Sequence, residues 1–229
     1  MTDLAAGNYR TLTFDCYGTL IDWENGILGY LQPLLESYDV HVLDEWVLEF
    51  FAENEPALQA EGGSYRSVLA RLLERLGTRC AFTPNDDALK GFADSIEYWQ
   101  PFADTNAALR ALSEHFDLAV VSNVDNELFS LSARQLGVEF AQVITADDVG
   151  AYKPARAMFD EALRKVSGPV LHVAQSLYHD IAPAKALGLD TVWINRPSAA
   201  GSGAARFVEV EPTWTFGDLS ELVEAFDLD

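Results

Sequence analysis

Positive charge is what this sequence most lacks. Fifteen lysines and arginines stand against 36 aspartates and glutamates, a formal net charge of −21. Nucleic acid is held by basic side chains on its phosphates, so the composition argues against a nucleic-acid partner. It argues equally against an anionic membrane surface. Cysteine is scarce as well. Cys16 and Cys80 are too few for a disulfide framework, which fits a reducing, cytoplasmic setting. No apolar run reaches the length of a membrane span. The N-terminus has no basic stretch leading into an apolar one, so no secretory signal is expected. Only Lys90, Lys153, Lys165 and Lys185 supply lysine. The acidic surface serves solubility and would also suit a salty cytoplasm.

What is present is a globular composition, 49% apolar over 229 residues, enough for a large core or a core with a smaller unit. No internal repeat is visible. Residues 9–15 alternate and are rich in β-formers, which predicts a first strand. From about 24 to 100 the pattern turns helical. Apolar residues recur at three and four over 26–38, 44–60 and 65–76, and Pro84-Asn85-Asp86 opens a fourth helix reaching about 99. After Pro101 strands are expected at 117–122, 142–145, 170–174 and 191–194, with an edge strand at 212–216. Helices are expected at 105–115, 126–136, 155–166, 181–187 and 218–226, and a small, Gly-rich surface loop at 198–205. This alternation predicts an α/β fold, a Rossmann-like parallel sheet covered on both faces. The helical block reads as a cap inserted after the first strand. The core is then 1–22 and 101–229, and the cap 23–100.

Asp15 closes the first strand and opens Asp15-Cys16-Tyr17-Gly18-Thr19-Leu20. A carboxylate at the C-terminal end of such a strand lies where open α/β sheets hold their ligands, beside loop N–H groups that can face an anion. That placement suits nucleophilic catalysis by aspartate. Further strand ends carry polar groups: Ser122-Asn123, Tyr152-Lys153-Pro154 ahead of a helix, and Gln175-Ser176-Leu177-Tyr178-His179-Asp180. A parallel sheet brings them to one edge with Asp15. Each alone reads as a helix cap or a turn. The order and spacing of all of them carry the signal.

With these motifs the chain resembles the haloacid dehalogenase superfamily, and within it the L-2-haloacid dehalogenase branch, whose first motif Asp-x-Tyr-Gly-Thr-Leu residues 15–20 match in full. The resemblance spans nearly the whole chain. It implies Asp15 as nucleophile, Thr19 holding its carboxylate, Ser122 and Asn123 binding the substrate carboxylate and helping the leaving group, Lys153 as the lysine of the third motif and Asp180 as the carboxylate of the fourth. Tyr17, Ser122, Asn123, Gln175 and Cys16 are the candidate substrate-contacting residues, although Cys16 by itself reads as a small apolar filler. The implied reaction is metal-independent hydrolysis of small 2-haloacids to 2-hydroxy acids through an aspartyl ester, with inversion at the L-enantiomer. No cofactor and no metal are expected. The expected partner is a small anionic substrate, which Lys153 would draw into a negative protein, and relatives of this kind often form homodimers.

Two features set the chain apart from the phosphatases of the superfamily. Those carry a second Asp that protonates the leaving alkoxide; Tyr17 stands there and is no equivalent acid near neutral pH. They also bind magnesium through an acid where Ala174-Gln175 stands here, and Gln offers only a neutral carbonyl. The chain also departs from the dehalogenase pattern. The cap stretch 50–55 lacks the expected arginine, Phe159 replaces a tyrosine, and Leu177 replaces an asparagine that positions water. His179 with Glu24 offers a substitute base dyad, with Asp180 as the competing base. His172, inside an apolar strand, reads as core or sheet surface. Trp23 is the aromatic nearest the catalytic loop, among Phe50, Phe51, Tyr98 and Trp99 that suit a pocket or plain core. The alternatives to a dehalogenase are a phosphatase of small phosphorylated metabolites and a non-catalytic binding homologue.

Overall fold

The computed structural model describes residues 4–197 and 208–228. Its six strands are β1 (Thr11–Phe14), β2 (Asp117–Ser122), β3 (Gln142–Thr145), β4 (Val170–Ala174), β5 (Asp190–Ile194) and β6 (Trp214–Phe216). They form one parallel sheet in the order β3-β2-β1-β4-β5-β6. Both central strands, β1 and β4, are buried at every position, which is why they read as runs of β-formers with helices over both faces. Chain order reverses between β1 and β4. Such a switch point opens a crevice at the C-terminal ends of the strands.

Ten helices accompany the sheet among the described residues: α1 (Trp23–Ser37), α2 (Asp44–Ala60), α3 (Tyr65–Cys80), α4 (Asp86–Asp94), α5 (Thr105–Ser113), α6 (Asn126–Leu136), α7 (Ala146–Val149), α8 (Arg156–Lys165), α9 (Ala182–Ala186) and α10 (Leu219–Phe226). The first four follow one another between β1 and α5, as the periodicity predicts. Leu12, Phe14, Val120 and Val173 face α5, α6 and α10 through Leu112, Leu128 and Leu222. The same apolar cluster continues unbroken into Leu31, Phe51, Leu72 and Phe92 of the helical block. On the opposite sheet face Val121 and Ile144 pack with Met158, Phe159 and Ala162 of α8 and Ala184 of α9.

Most expected elements form within a few residues of their predicted bounds, including β6 at the edge. Two differences have physical causes. Gly77 does not end α3, which runs to Cys80; a Cβ there would meet the carbonyl oxygen of Phe82 at 2.7 Å, so this glycine permits close packing. The helix expected at 181–187 is preceded by a π-helical turn over Leu177–Ile181. The expected loop at 198–205 lies outside the described residues.

Candidate active site

The loop after β1 is folded around its own carbonyls. Leu20 and Ile21 donate their N–H groups to Cys16 O, and Gly18 takes φ +95°, a left-handed conformation that other residues adopt only under strain. This curl sets Thr19 beside Asp15. Thr19 Oγ1 donates to Asp15 Oδ2 at 2.7 Å and accepts the Gln175 backbone N–H at 2.9 Å, joining the β1 loop to the end of β4.

Lys153 reaches the same place from the loop ahead of α8. Its ammonium, with side chain 1% exposed, donates to Asp15 Oδ1, Asp180 Oδ1 and Val121 O, each at 2.7 Å. All three ammonium donors are thereby used. Burial and the neighbouring Asp180 push the Asp15 carboxyl upward, opposed by Lys153 and Thr19. Burial would also raise Asp180, but Lys153 and His172 outweigh it and hold Asp180 below its ordinary range. The two carboxylates in turn outweigh the desolvation of Lys153 and keep it protonated.

His172 is the member of this cluster that the sequence did not reveal. Its Nε2 lies 3.1 Å from Asp180 Oδ1, and its Nδ1 lies 2.9 Å from Thr13 Oγ1. A carboxylate only accepts, so Nε2 carries a proton toward Asp180. A histidine within an apolar run, paired in register with a threonine on the next strand, was the available signal.

The cluster opens into a cavity of about 50 Å³ lined by Asp15, Tyr17, Trp23, Ser122, Asn123, Gln175, His179 and Asp180. Ser122 Oγ, His179 Nε2 and Asp180 Oδ2 are buried with no hydrogen-bond partner among the described residues, so polar atoms face the space a ligand would take. The Asn123 side chain instead bonds the Lys153 backbone, accepting from its N–H at 2.6 Å and donating to its carbonyl at 3.1 Å. The Tyr17 hydroxyl shares a hydrogen bond with Ser132 at 2.9 Å, and burial pushes its phenol well above the ordinary value. From the helical block come Glu55 and Gln59 of α2 and Tyr65 of α3, none of them foreseen. The signal lay in spacing. Glu55 falls four residues from Phe51 and three from Leu58, and Gln59 four from Glu55, on the buried stripe of α2. Through Gln59, Lys153 and His179 this cavity adjoins a cleft of about 540 Å³.

Two expectations need correction. Cys16 packs in the apolar core and does not line the cavity, because positions 12, 14 and 16 share one face of the extended chain. Glu24 is buried but lines a neighbouring cavity with Gly18, Phe102 and Arg196, whereas His179 lines that of Asp15. Burial, helped by the Lys153 charge, outweighs the opposing Asp180 and lowers the His179 pKa to about 4, so the ring is neutral. Trp23 does reach the cavity, Phe50, Phe51 and Trp99 are core, and Tyr98 is 74% exposed.

The donor set does not fit a divalent cation. Both carboxylates of the cluster already share one ammonium, Thr19 takes the other oxygen of Asp15, and Gln175 brings no charge. Among the described residues no group of three His, Cys, Asp or Glu side chains is arranged to hold a metal.

An aspartate, a threonine, a lysine and a second aspartate converging at the switch point of a parallel sheet define a class of hydrolytic site. The model of haloacid dehalogenase-like hydrolases matches residues 9–188, and the chain belongs to that family. It is similar to haloacetate dehalogenase H-2 of Moraxella sp. (strain B), at 35% identity over 82% of this chain and 86% of that protein. It is also similar to an (S)-2-haloacid dehalogenase of Pseudomonas fluorescens, at 23% identity over 94% and 95%, and to the pyrimidine 5'-nucleotidase YjjG of Escherichia coli (strain K12), at 25% over 91% and 94%. The crystal structure of an L-2-haloacid dehalogenase superposes with a TM-score of 0.80 at 25% identity, covering 96% of this chain and 99% of that one. That from Xanthobacter autotrophicus gives 0.78 at 18%, covering 94% and 97%. No helix among the described residues is long and apolar enough to cross a membrane.

Proposed function

We propose that this hydrolase removes halide from small 2-haloacids, with Asp15 as nucleophile and the helical block acting as a cap over the site. One observation carries the reading. Asp15 sits in a small cavity beside Lys153, and two residues on, where a phosphatase of the family would hold a second aspartate to protonate the leaving oxygen, stands Tyr17, tied to Ser132 with its phenol pushed upward. Halide needs no proton to leave. An Asp15 oxygen bonds to the carbon next to the substrate carboxylate, and halide departs with the electron pair of the broken bond. Thr19 and Lys153 hold the carboxylate in line for this attack. Water then adds to the Asp15 carbonyl carbon and gives one proton to a base. The bond from that carbon to the substrate oxygen breaks, the protonated base returns its proton to the departing oxygen to give the 2-hydroxy acid, and the Asp15 carboxylic acid left behind loses its proton to solvent. Ser122 Oγ, buried and without a hydrogen-bond partner among the described residues, is available to the substrate carboxylate.

The similarity to a nucleotidase over most of the chain keeps a phosphatase as the second reading. Halide release from chloroacetate and 2-chloropropanoate without added metal, set beside phosphate release from a generic phosphate ester with magnesium, separates the two. Halide without phosphate is the expected result, and phosphate without halide overturns it. A single turnover in heavy-oxygen water should label Asp15 before product. Label appearing first in the hydroxy acid would mean that water attacks the substrate directly.

A further inference from the structure

The wall facing Asp15 across the cavity is built by α2 and α3. Glu55 is 6% exposed, and Tyr65 OH donates to its Oε1 at 2.7 Å. No other hydrogen bond to Glu55 forms among the described residues. Gln59, one turn on, lines the same cavity. Among the described residues no arginine lines it, and the one ammonium there, that of Lys153, is spent on Asp15, Asp180 and Val121 O. The described lining therefore meets an anionic substrate with neutral donors.

We propose that Glu55, as a neutral carboxylic acid oriented by Tyr65, binds the anionic end of the substrate opposite Asp15 and so determines specificity. The assignment rests on the anionic-substrate reading above. Tyr65 fixes Oε1 as an acceptor, which leaves the acid proton on Oε2, free to be donated to the substrate. Burial pushes the Glu55 carboxyl up to about 7, against the lowering effect of Tyr65. The groups that share the cavity with Glu55 are the Asp15 and Asp180 carboxylates, the Lys153 ammonium, the neutral His179 and the Tyr17 and Tyr65 phenols. Tyr152 lies just beyond them, with Asp125, Asp147 and Arg71 acting on it. As pH rises through the Glu55 transition the donor is lost and a negative charge appears, so affinity for an anion falls.

Propanoate, which carries the carboxylate but no leaving group, is the probe. Its binding is measured by calorimetry on the full chain at about pH 6 and about pH 8.5, either side of that transition. Wild type should bind about tenfold more tightly at the lower pH. Glu55→Gln, whose amide donates at both, should bind equally at both. Glu55→Leu should bind weakly at both. Thermal melts show whether each variant is folded. In wild type alone, a protonated-carboxyl infrared band should be present at the lower pH, shift on adding propanoate, and vanish at the higher pH. The same pH dependence in wild type and Glu55→Gln, no binding by wild type at the lower pH, or a band indifferent to propanoate overturns the assignment. Halide release judges the proposed reaction separately. Expected propanoate binding without halide release defeats the dehalogenase reading and leaves Glu55 standing, whereas halide release with pH-independent binding defeats Glu55 alone.

Discussion

Asp15, Lys153 and Asp180 form a buried cluster with two negative charges and one positive. Its stability depends on the ammonium in the middle. Removing one partner of a buried ion pair costs about 3–5 kcal/mol, because an uncompensated charge stays behind. Lys153→Met should therefore lower the urea unfolding free energy by about that amount as well as abolish turnover; a loss below about 1 kcal/mol would show that the carboxylates are not ionised together. The same cluster frames the choice of base. Among the described residues His179 Nε2 and Asp180 Oδ2 both lack a hydrogen-bond partner, but Glu24 lines a different cavity, leaving Asp180 the better-held acceptor. Removing a general base slows a step by about 10²–10⁴-fold. Asp180→Asn should accumulate the Asp15 adduct, seen as added mass on the intact protein, while His179→Ala turns over within about tenfold of wild type. Adduct accumulation in His179→Ala would reverse the assignment.

Helix α3 shows how an element is aimed at the site. Ser64 caps it by accepting from Ser67 N, and the sheet side contributes an anion. The Asp125 carboxylate accepts the N–H groups of Tyr65 at 2.7 Å and Arg66 at 2.9 Å. A carboxylate on orphan N–H groups at a helix N-terminus satisfies them and complements the helix dipole. Tyr152 OH donating to Gly63 O at 2.8 Å is a further tie between the two sides. Asp125→Ala should lower stability by about 1–2 kcal/mol and raise KM more than it lowers kcat, since α3 carries Tyr65 into the cavity. An unchanged KM would show that this anchor does not position the cavity wall.

At the scale of the molecule, a net charge of −21 on 229 residues sets up self-repulsion that works against the folded state. Salt shortens the screening length from about 10 Å at 0.1 M to about 3 Å at 1 M. The melting temperature should rise by several degrees over that range of potassium chloride. A fall would mean that exposed ion pairs such as Arg10–Asp117 outweigh the repulsion.

The sequence by itself determined the parallel α/β plan, because β-branched and apolar runs alternating with helical periods leave few other packings. It also pointed to Asp15, Thr19, Ser122, Lys153 and Asp180, because Asp15, Thr19 and Ser122 lie at or just after the ends of β1 and β2, Lys153 and Asp180 lie in the segments that follow β3 and β4, and parallel strands bring those ends to one edge. It did not reach groups whose roles depend on distant partners. His172 acts through Asp180 and Thr13 on neighbouring chain segments, and Glu55 reads as one more acid until α2 is seen to turn it toward Asp15. Pairings were equally out of reach. Glu24 and His179 are both near the catalytic loops in the chain, and only the fold separates them into different cavities. Strand and helix periods are local, so they survive in the sequence. Which side chains share a cavity depends on how helices lie against the sheet, and that is decided by the packing of the whole core.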